Sequence, residues 1–254
     1  MLRVFTYGAG DINRFKNLRD SSSLCGLKIN YITQPVWNGF YDKTKHILNI
    51  IKDLQDDTVI CVIDGYDMLA MAPEEEILDK FFSKKCDILF GAELNCWPGE
   101  FLERYDRSEQ STNYRFINGG GYIGYKKAVY SLLTWKSDSE KQVIYKAVTD
   151  QGYFKEYYFA NRDSGLLKLD IGQEIFQNMF SVDWAEMKIV NGRVKNSILG
   201  TYPCFVHFSG DSWKIKDGRD IMPIIVELCS RGVNSIIPEV QNFNSAYFKR
   251  PQIK

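Results

Sequence analysis

Residues 58–63, Thr-Val-Ile-Cys-Val-Ile, form an unbroken run of apolar or β-branched side chains that stops abruptly at Asp64-Gly65-Tyr66-Asp67. A short run of this kind bounded by turn residues reads as a strand buried on both faces, the pattern of a parallel sheet covered by helices. In open α/β sheets, ligands bind beyond the carboxyl ends of such strands. Two carboxylates with a tyrosine between them therefore stand where a ligand is expected. No basic residue adjoins them in the sequence, so they should repel one another, and a hard divalent cation with oxygen ligands would relieve that repulsion. The same tetrapeptide is also compatible with a plain turn, because Asp and Gly are common wherever a strand ends.

The segments around this run repeat one pattern. Leu2–Tyr7 reads as a strand closed by Gly8-Ala9-Gly10, and Asp11 can cap a helix with Ile12, Phe15 and Leu18 at helical spacing. Lys28–Thr33 reads as a second strand ended by Pro35, followed by an aromatic and amide-rich loop, Val36-Trp37-Asn38-Gly39-Phe40-Tyr41. Residues 42–55 suit a helix with Asp42 as N-cap, Ile47, Leu48, Ile50, Ile51 and Leu54 as its apolar stripe, and Lys43, Lys45 and His46 in its first turns. The first 67 residues thus read β-α-β-α-β, half of a nucleotide-binding sheet.

Pro73-Glu74-Glu75-Glu76 starts another helix, with acids near the positive end of its dipole. Asp87–Ala92 reads as a strand ending at Glu93, followed by the loop Asn95-Cys96-Trp97-Pro98; residues 107–114 are polar and expected to be exposed. Phe116-Ile117-Asn118-Gly119-Gly120-Gly121 allows close backbone approach and tight turning, yet is neither a P-loop nor a Rossmann fingerprint. Helices are expected over 126–136 and roughly 140–160, the second carrying Asp150-Gln151. Short strands follow: Leu166–Asp170, a hairpin of Met187–Val190 and Arg193–Lys195 around Asn191-Gly192, and Cys204–Phe208, which runs into Ser209-Gly210-Asp211. A helix near 219–231 precedes a tail that has no clear periodicity after Pro238. With no repeat and no linker-like stretch, a single domain over 1–254 is expected.

Composition excludes some classes. Lys+Arg and Asp+Glu both number 32, so the net charge is zero and nothing suggests a nucleic-acid partner held by bulk electrostatics. The six cysteines are scattered, with no C-x-x-C pair, which reads as reduced thiols. Residues 2–8 already read as a strand, so no secretory signal or membrane span is visible. If the chain is full-length, the cytoplasm or another reducing compartment is expected.

These motifs, in one order along nearly the whole chain, resemble a known family. VFTYG at the first strand, Trp37, VIDGYDMLA, FGAELNCWP, FINGGGYIGY, Asp150-Gln151, IFQN at 175–178 and VHFSG at 206–210 are similar to the glycosyltransferase domain of procollagen lysyl hydroxylases and related collagen glycosyltransferases. The resemblance implies a GT-A type fold: α/β and Rossmann-like, with a mixed, mainly parallel sheet flanked by helices. It implies a nucleotide and metal half over about 1–125 and a sugar and acceptor half over about 126–254. It further implies Mn²⁺, a UDP-sugar donor from which a hexose is transferred, and a protein or glycan hydroxyl acceptor such as hydroxylysine or galactosyl-hydroxylysine of a collagen-like protein. Asp64, Asp67 and His207 are implied as the metal site, Asp67 as a direct ligand and Asp64 through ribose or water. Thr6, Tyr7, Trp37, Lys45, Asp64, Tyr66, Gly119, Gly120, Ser209 and Gly210 are implied around the donor, with Trp37 and Tyr66 near the uracil and Lys45 near the diphosphate. Trp97, Asn118, Asp150 and Gln151 are implied on the catalytic side.

The chemistry of the residues agrees with that implication. Mixed carboxylate and imidazole ligation suits Mn²⁺ better than Ca²⁺ or structural Zn²⁺. Of the two histidines, His207 ends a buried strand, while His46 suits a helix surface; a merely hydrogen-bonded, partly buried His207 is the plainer alternative. Two segments depart from the family: Val-Thr-Asp-Gln replaces a run of aspartates, and Phe-Ser-Gly follows His207 in place of a Gly-Asn-Gly-like stretch. Both lie on the sugar and acceptor side, so a module that binds UDP-sugar or acceptor with weak or no transfer is the competing expectation. A haloacid-type phosphatase would need Asp-x-Asp, and the spacing here is Asp-x-x-Asp.

Overall fold

The computed structural model describes residues 1–105, 112–210, 212, 214, 220–232 and 234–236. Most of the polar segment 107–114, Asp211, the expected helix start at 219 and the tail after Pro238 lie outside the described residues. Strand β1 (Leu2–Ala9), helix α1 (Lys16–Leu24), strand β2 (Ile29–Gln34), helix α2 (Phe40–Ile51) and strand β3 (Val59–Ile63) form the expected β-α-β-α-β unit, with β1 between β2 and β3 and parallel to both. Every residue of β3 is buried. Val59, Cys61 and Ile63 pack with Leu18 of α1, while Ile60 and Val62 pack with Ile47 and Ile51 of α2. Thr6 pairs with Ile63, so the carboxyl ends of β1 and β3 meet at Tyr7 and Asp64.

The rest of the chain adds β4 (Met68–Ala70), α3 (Glu74–Ser83), β5 (Ile88–Glu93), β6 (Phe116–Tyr125), α4 (Lys126–Thr134) and α5 (Asp138–Asn161). Then come β7 (Leu167–Leu169), β8 (Phe176–Asn178), β9 (Met187–Val190), β10 (Arg193–Asn196), β11 (Phe205–His207), α6 (Ile221–Ser230) and β12 (Ser235–Ile236). The main sheet runs β2-β1-β3-β6-β5-β8-β11-β4, with β7 also paired to β5. Strand β6 is antiparallel to both neighbours and β4 to β11, whereas the β5–β7, β5–β8 and β8–β11 pairs are parallel. This is the expected mixed, mainly parallel sheet of one Rossmann-like α/β domain, consistent with a GT-A fold. A small antiparallel sheet, β10-β9-β12, includes the expected hairpin.

The structure corrects three local readings and adds two strands. The triple glycine lies inside the ten-residue strand β6, so it does not turn the chain. Gly39, not Asp42, stands at the N-cap of α2; Asp42 instead accepts a 2.5 Å hydrogen bond from the Tyr7 phenol. Helix α5 breaks at Val148 and Thr149. Strands β4 and β8 were not legible as strands, because three residues cannot show a period. Among the described residues, no helix is long and apolar enough to cross a membrane.

Candidate functional site

Three elements deliver the acid–imidazole group. Asp64 follows β3, and its backbone N–H is held by the Gly120 carbonyl of β6 at 2.8 Å. Asp67 precedes β4, and its carbonyl accepts from the N–H of Phe208, just after β11. His207 ends β11 opposite Met68. One ligand atom from each of Asp64, Asp67 and His207 can be chosen so that all lie within 4.8 Å of one another. His207 Nε2 is 3.4 Å from Asp67 Oδ2 and 3.8 Å from Asp64 Oδ2.

The other imidazole nitrogen fixes the tautomer. Nδ1 lies 2.9 Å from both Asn118 Oδ1 and Asn178 Oδ1. Both amides are oriented independently: Asn118 Oδ1 accepts the Gly120 N–H, and Asn178 Nδ2 donates to the Ala92 carbonyl. Nδ1 therefore carries a hydrogen, and the buried Nε2 faces the two carboxylates with no hydrogen-bond partner among the described residues. Burial opposes charge on Asp67 and on His207, but their mutual attraction prevails, lowering the Asp67 carboxyl below its ordinary range and raising the imidazole above its own. A buried Nε2 between two carboxylates, with no hydrogen-bond partner among the described residues, fits a divalent cation in place of a proton. The two amide oxygens accept from Nδ1 as the hydrogen-bond partners of metal-bound histidines do, fixing the ring's orientation.

Glycines make this packing possible. A Cβ on Gly120 would lie 2.2 Å from His207 Cε1 and 2.8 Å from Asp64 Oδ2, and one on Gly119 would lie 2.9 Å from Gln151 Cβ. Gln151 accepts the Gly119 N–H at 2.7 Å and donates to Glu93 and to the Trp97 carbonyl. Lys155, fully buried, donates to the same carbonyl. Burial pushes the Glu93 carboxyl up to about 7, with Lys155 and the Gln151 amide opposing.

The expectation that no basic residue stands beside the acids is overturned. Lys43 of α2 is buried and donates to Asp64 Oδ1 at 2.7 Å and to Asp150 Oδ2 at 3.2 Å. Asp150 is accordingly no solvated helix acid. It is buried, its other oxygen accepts the Gln151 N–H at 2.9 Å, and burial raises its pKa against the pull of Lys43. Lys45 is exposed. Lys43 was missed because the sequence offered two lysines in one turn. Helical spacing could have chosen, since Lys43 shares the buried face with Ile47 and Ile51. Asn178 was missed as well, although it closes the quoted IFQN segment.

Beside the acids lies an open cleft of about 580 Å³, lined by Tyr7, Arg14, Trp37, Phe40, Asp64, Gly65, Tyr66, Asp67, Asp220 and Met222. Tyr66 is pinned to the end of β1: its hydroxyl accepts from the Ala9 N–H and donates to the Ala9 carbonyl at 2.9 Å. Trp37 packs on Tyr7 at 5.6 Å. Thr6 does not line the cleft; it is buried beneath Gly65, with its hydroxyl unpartnered. Ser209 Oγ is likewise buried and without a partner among the described residues, and Gly210 takes a φ of +64° just after β11. Trp97 is half exposed, whereas Asn118 is buried under His207.

Comparison with known proteins gives one family. The family described as PLOD GT domain matches residues 35–216. An uncharacterized protein of Acanthamoeba polyphaga mimivirus is 27% identical over 176 residues, covering 68% of this chain and 36% of that protein. The human multifunctional procollagen lysine hydroxylase and glycosyltransferase LH3 is 32% identical over 164 residues, or 61% of this chain and 21% of that protein. The Caenorhabditis elegans multifunctional procollagen lysine hydroxylase and glycosyltransferase is 32% identical over 231 residues, or 83% of this chain and 30% of that protein. The chain thus spans between about a fifth and just over a third of the length of these relatives.

Proposed function

The chain belongs to the PLOD GT domain family, and from that premise we propose that it transfers a hexose from a UDP-sugar to a hydroxyl acceptor with the help of Mn²⁺. The observation that carries this reading is the buried, unpartnered Nε2 of His207 facing Asp64 and Asp67 at the edge of an aromatic-walled cleft. These three residues would hold the metal. When bound, a divalent cation of this kind supplies the positive charge that stabilises a leaving diphosphate.

The chain's own groups divide the remaining work. Lys43 holds the Asp64 carboxylate in place and neutralises part of the acid cluster. Tyr7, Trp37 and Tyr66 wall the cleft where the nucleotide would lie. Gln151, fixed between Gly119 and Glu93, shapes the floor beneath the reacting sugar. Asp150 is the candidate acid–base group, its pKa raised by burial in the direction general catalysis requires. The acceptor is a hydroxyl group, with a collagen-like hydroxylysine as the example that the relatives' names suggest and its galactoside as the one that the family resemblance implies.

One observation favours the second reading, a binding module with weak transfer. Both Asp150 oxygens are already engaged, one by Lys43 and one by the Gln151 N–H. Incubation with a panel of UDP-sugars, Mn²⁺ and collagen-like peptides separates the two. Transfer reads as glycosylated peptide accompanied by equivalent UDP release. UDP binding without any glycosylated peptide would leave the binding module standing.

A further inference from the structure

Arg14 is the one basic residue among the described residues lining the cleft, and no motif of the sequence singled it out. It is exposed on the turn between β1 and α1. Its guanidinium carbon lies over the Tyr66 ring, 4.1 Å from the centroid, and Nη1 donates to the Ala9 carbonyl at 3.2 Å. Tyr66 is held by that same Ala9, while the buried Phe15 packs against its ring at 5.0 Å. Arg14 and Tyr66 are therefore tied to one backbone residue and to each other. The guanidinium forms no ion pair among the described residues, so its outer face and remaining N–H groups are free.

One face of the Tyr66 ring is thus covered by a guanidinium that itself lines the cleft. A guanidinium is planar and weakly hydrated, and heterocyclic bases stack on it as they do on aromatic rings. We infer that Arg14 is a nucleobase-binding residue, its guanidinium laid on Tyr66 as the plane on which the base of the donor nucleotide stacks. Tyr66 then acts as the backing of that plane, not as its surface. The inference rests on the nucleotide reading above and adds a residue to it.

The test is calorimetric titration of wild type, Arg14→Ala and Arg14→Lys with UMP and with UDP, each with Mn²⁺. Arg14 is exposed, so circular dichroism of the variants should match wild type. Stacking predicts that both variants lose about tenfold in affinity for both nucleotides, a ~1.4 kcal/mol effect. Lysine fails to rescue because it keeps the charge and loses the plane. Unchanged affinity in Arg14→Ala would overturn the inference. Restoration by lysine, with a loss that grows from UMP to UDP, would also overturn it, by assigning Arg14 to the phosphates. Wild type binding neither nucleotide would overturn the nucleotide reading itself, and the inference with it.

Discussion

Glu93 shows how far burial can move a group that the sequence marks only as the end of a strand. Its carboxyl is pushed up to about 7 from an ordinary 4.5, and its neighbour Gln151 needs only an acceptor oxygen from it. Between these two values the folded protein keeps the proton and the unfolded chain releases it. Stability therefore falls as pH rises from about 4.5 to about 7 and is flat beyond, and the contribution is roughly 3 kcal/mol. Glu93→Gln keeps the acceptor and removes the titration. In urea unfolding at pH 5 and pH 8, the variant should gain stability relative to wild type by about that amount at pH 8 and little at pH 5. Equal gains at both values would show that burial does not hold the proton. The neighbouring residues explain what a sequence can reveal. That Asp64, Asp67 and His207 come together was legible, because each ends or follows a buried run and the fold brings one ligand atom of each within 4.8 Å of the others. Lys43 was legible only in part: helical spacing puts it on the buried face with Ile47 and Ile51, but its two acid partners arrive from the end of β3 and from α5, far away in the sequence.

At the scale of elements, β3 was legible from its unbroken apolar run, and the β1-α1-β2-α2-β3 order followed from alternating periodicities. Strand β6 was obscured by its glycines, which are normally depleted in strands. Here they admit His207, Asp64 and Gln151 against the backbone. Helix α5 was read as continuous because its composition carries no breaker at the break. Thr149 adopts φ 60° and ψ −172°, a region that is almost glycine-only. That strained turn precedes Asp150 directly and aims it at Lys43. Thr149→Gly should relieve the strain, worth about 1–3 kcal/mol, against a glycine entropy cost of about 0.5–1 kcal/mol. A net rise in Tm of a few degrees is expected in thermal unfolding, whereas Thr149→Ala should give none. A fall in Tm for the glycine variant would show that the half-buried threonine side chain matters more than the backbone angle.

For the whole molecule, the sheet order explains why one site forms from distant parts of the chain. Strands β1 and β3 end side by side, β6 runs back between β3 and β5, and β11 brings His207 against Asp67 through its pairing with β4. Nearly two hundred residues of chain separate Tyr7 from His207, and a central sheet places both beside one cleft. The central claim is that Asp64, Asp67 and His207 hold a divalent cation that in turn holds the donor nucleotide. Calorimetric titration of the metal-stripped protein with UDP, in the presence and absence of Mn²⁺, tests it most directly, with Asp67→Ala as the comparison. Binding is expected only with Mn²⁺ and is expected to be lost in Asp67→Ala, whose fold circular dichroism should show intact. UDP affinity that is the same with and without Mn²⁺, or unchanged in Asp67→Ala, would contradict it.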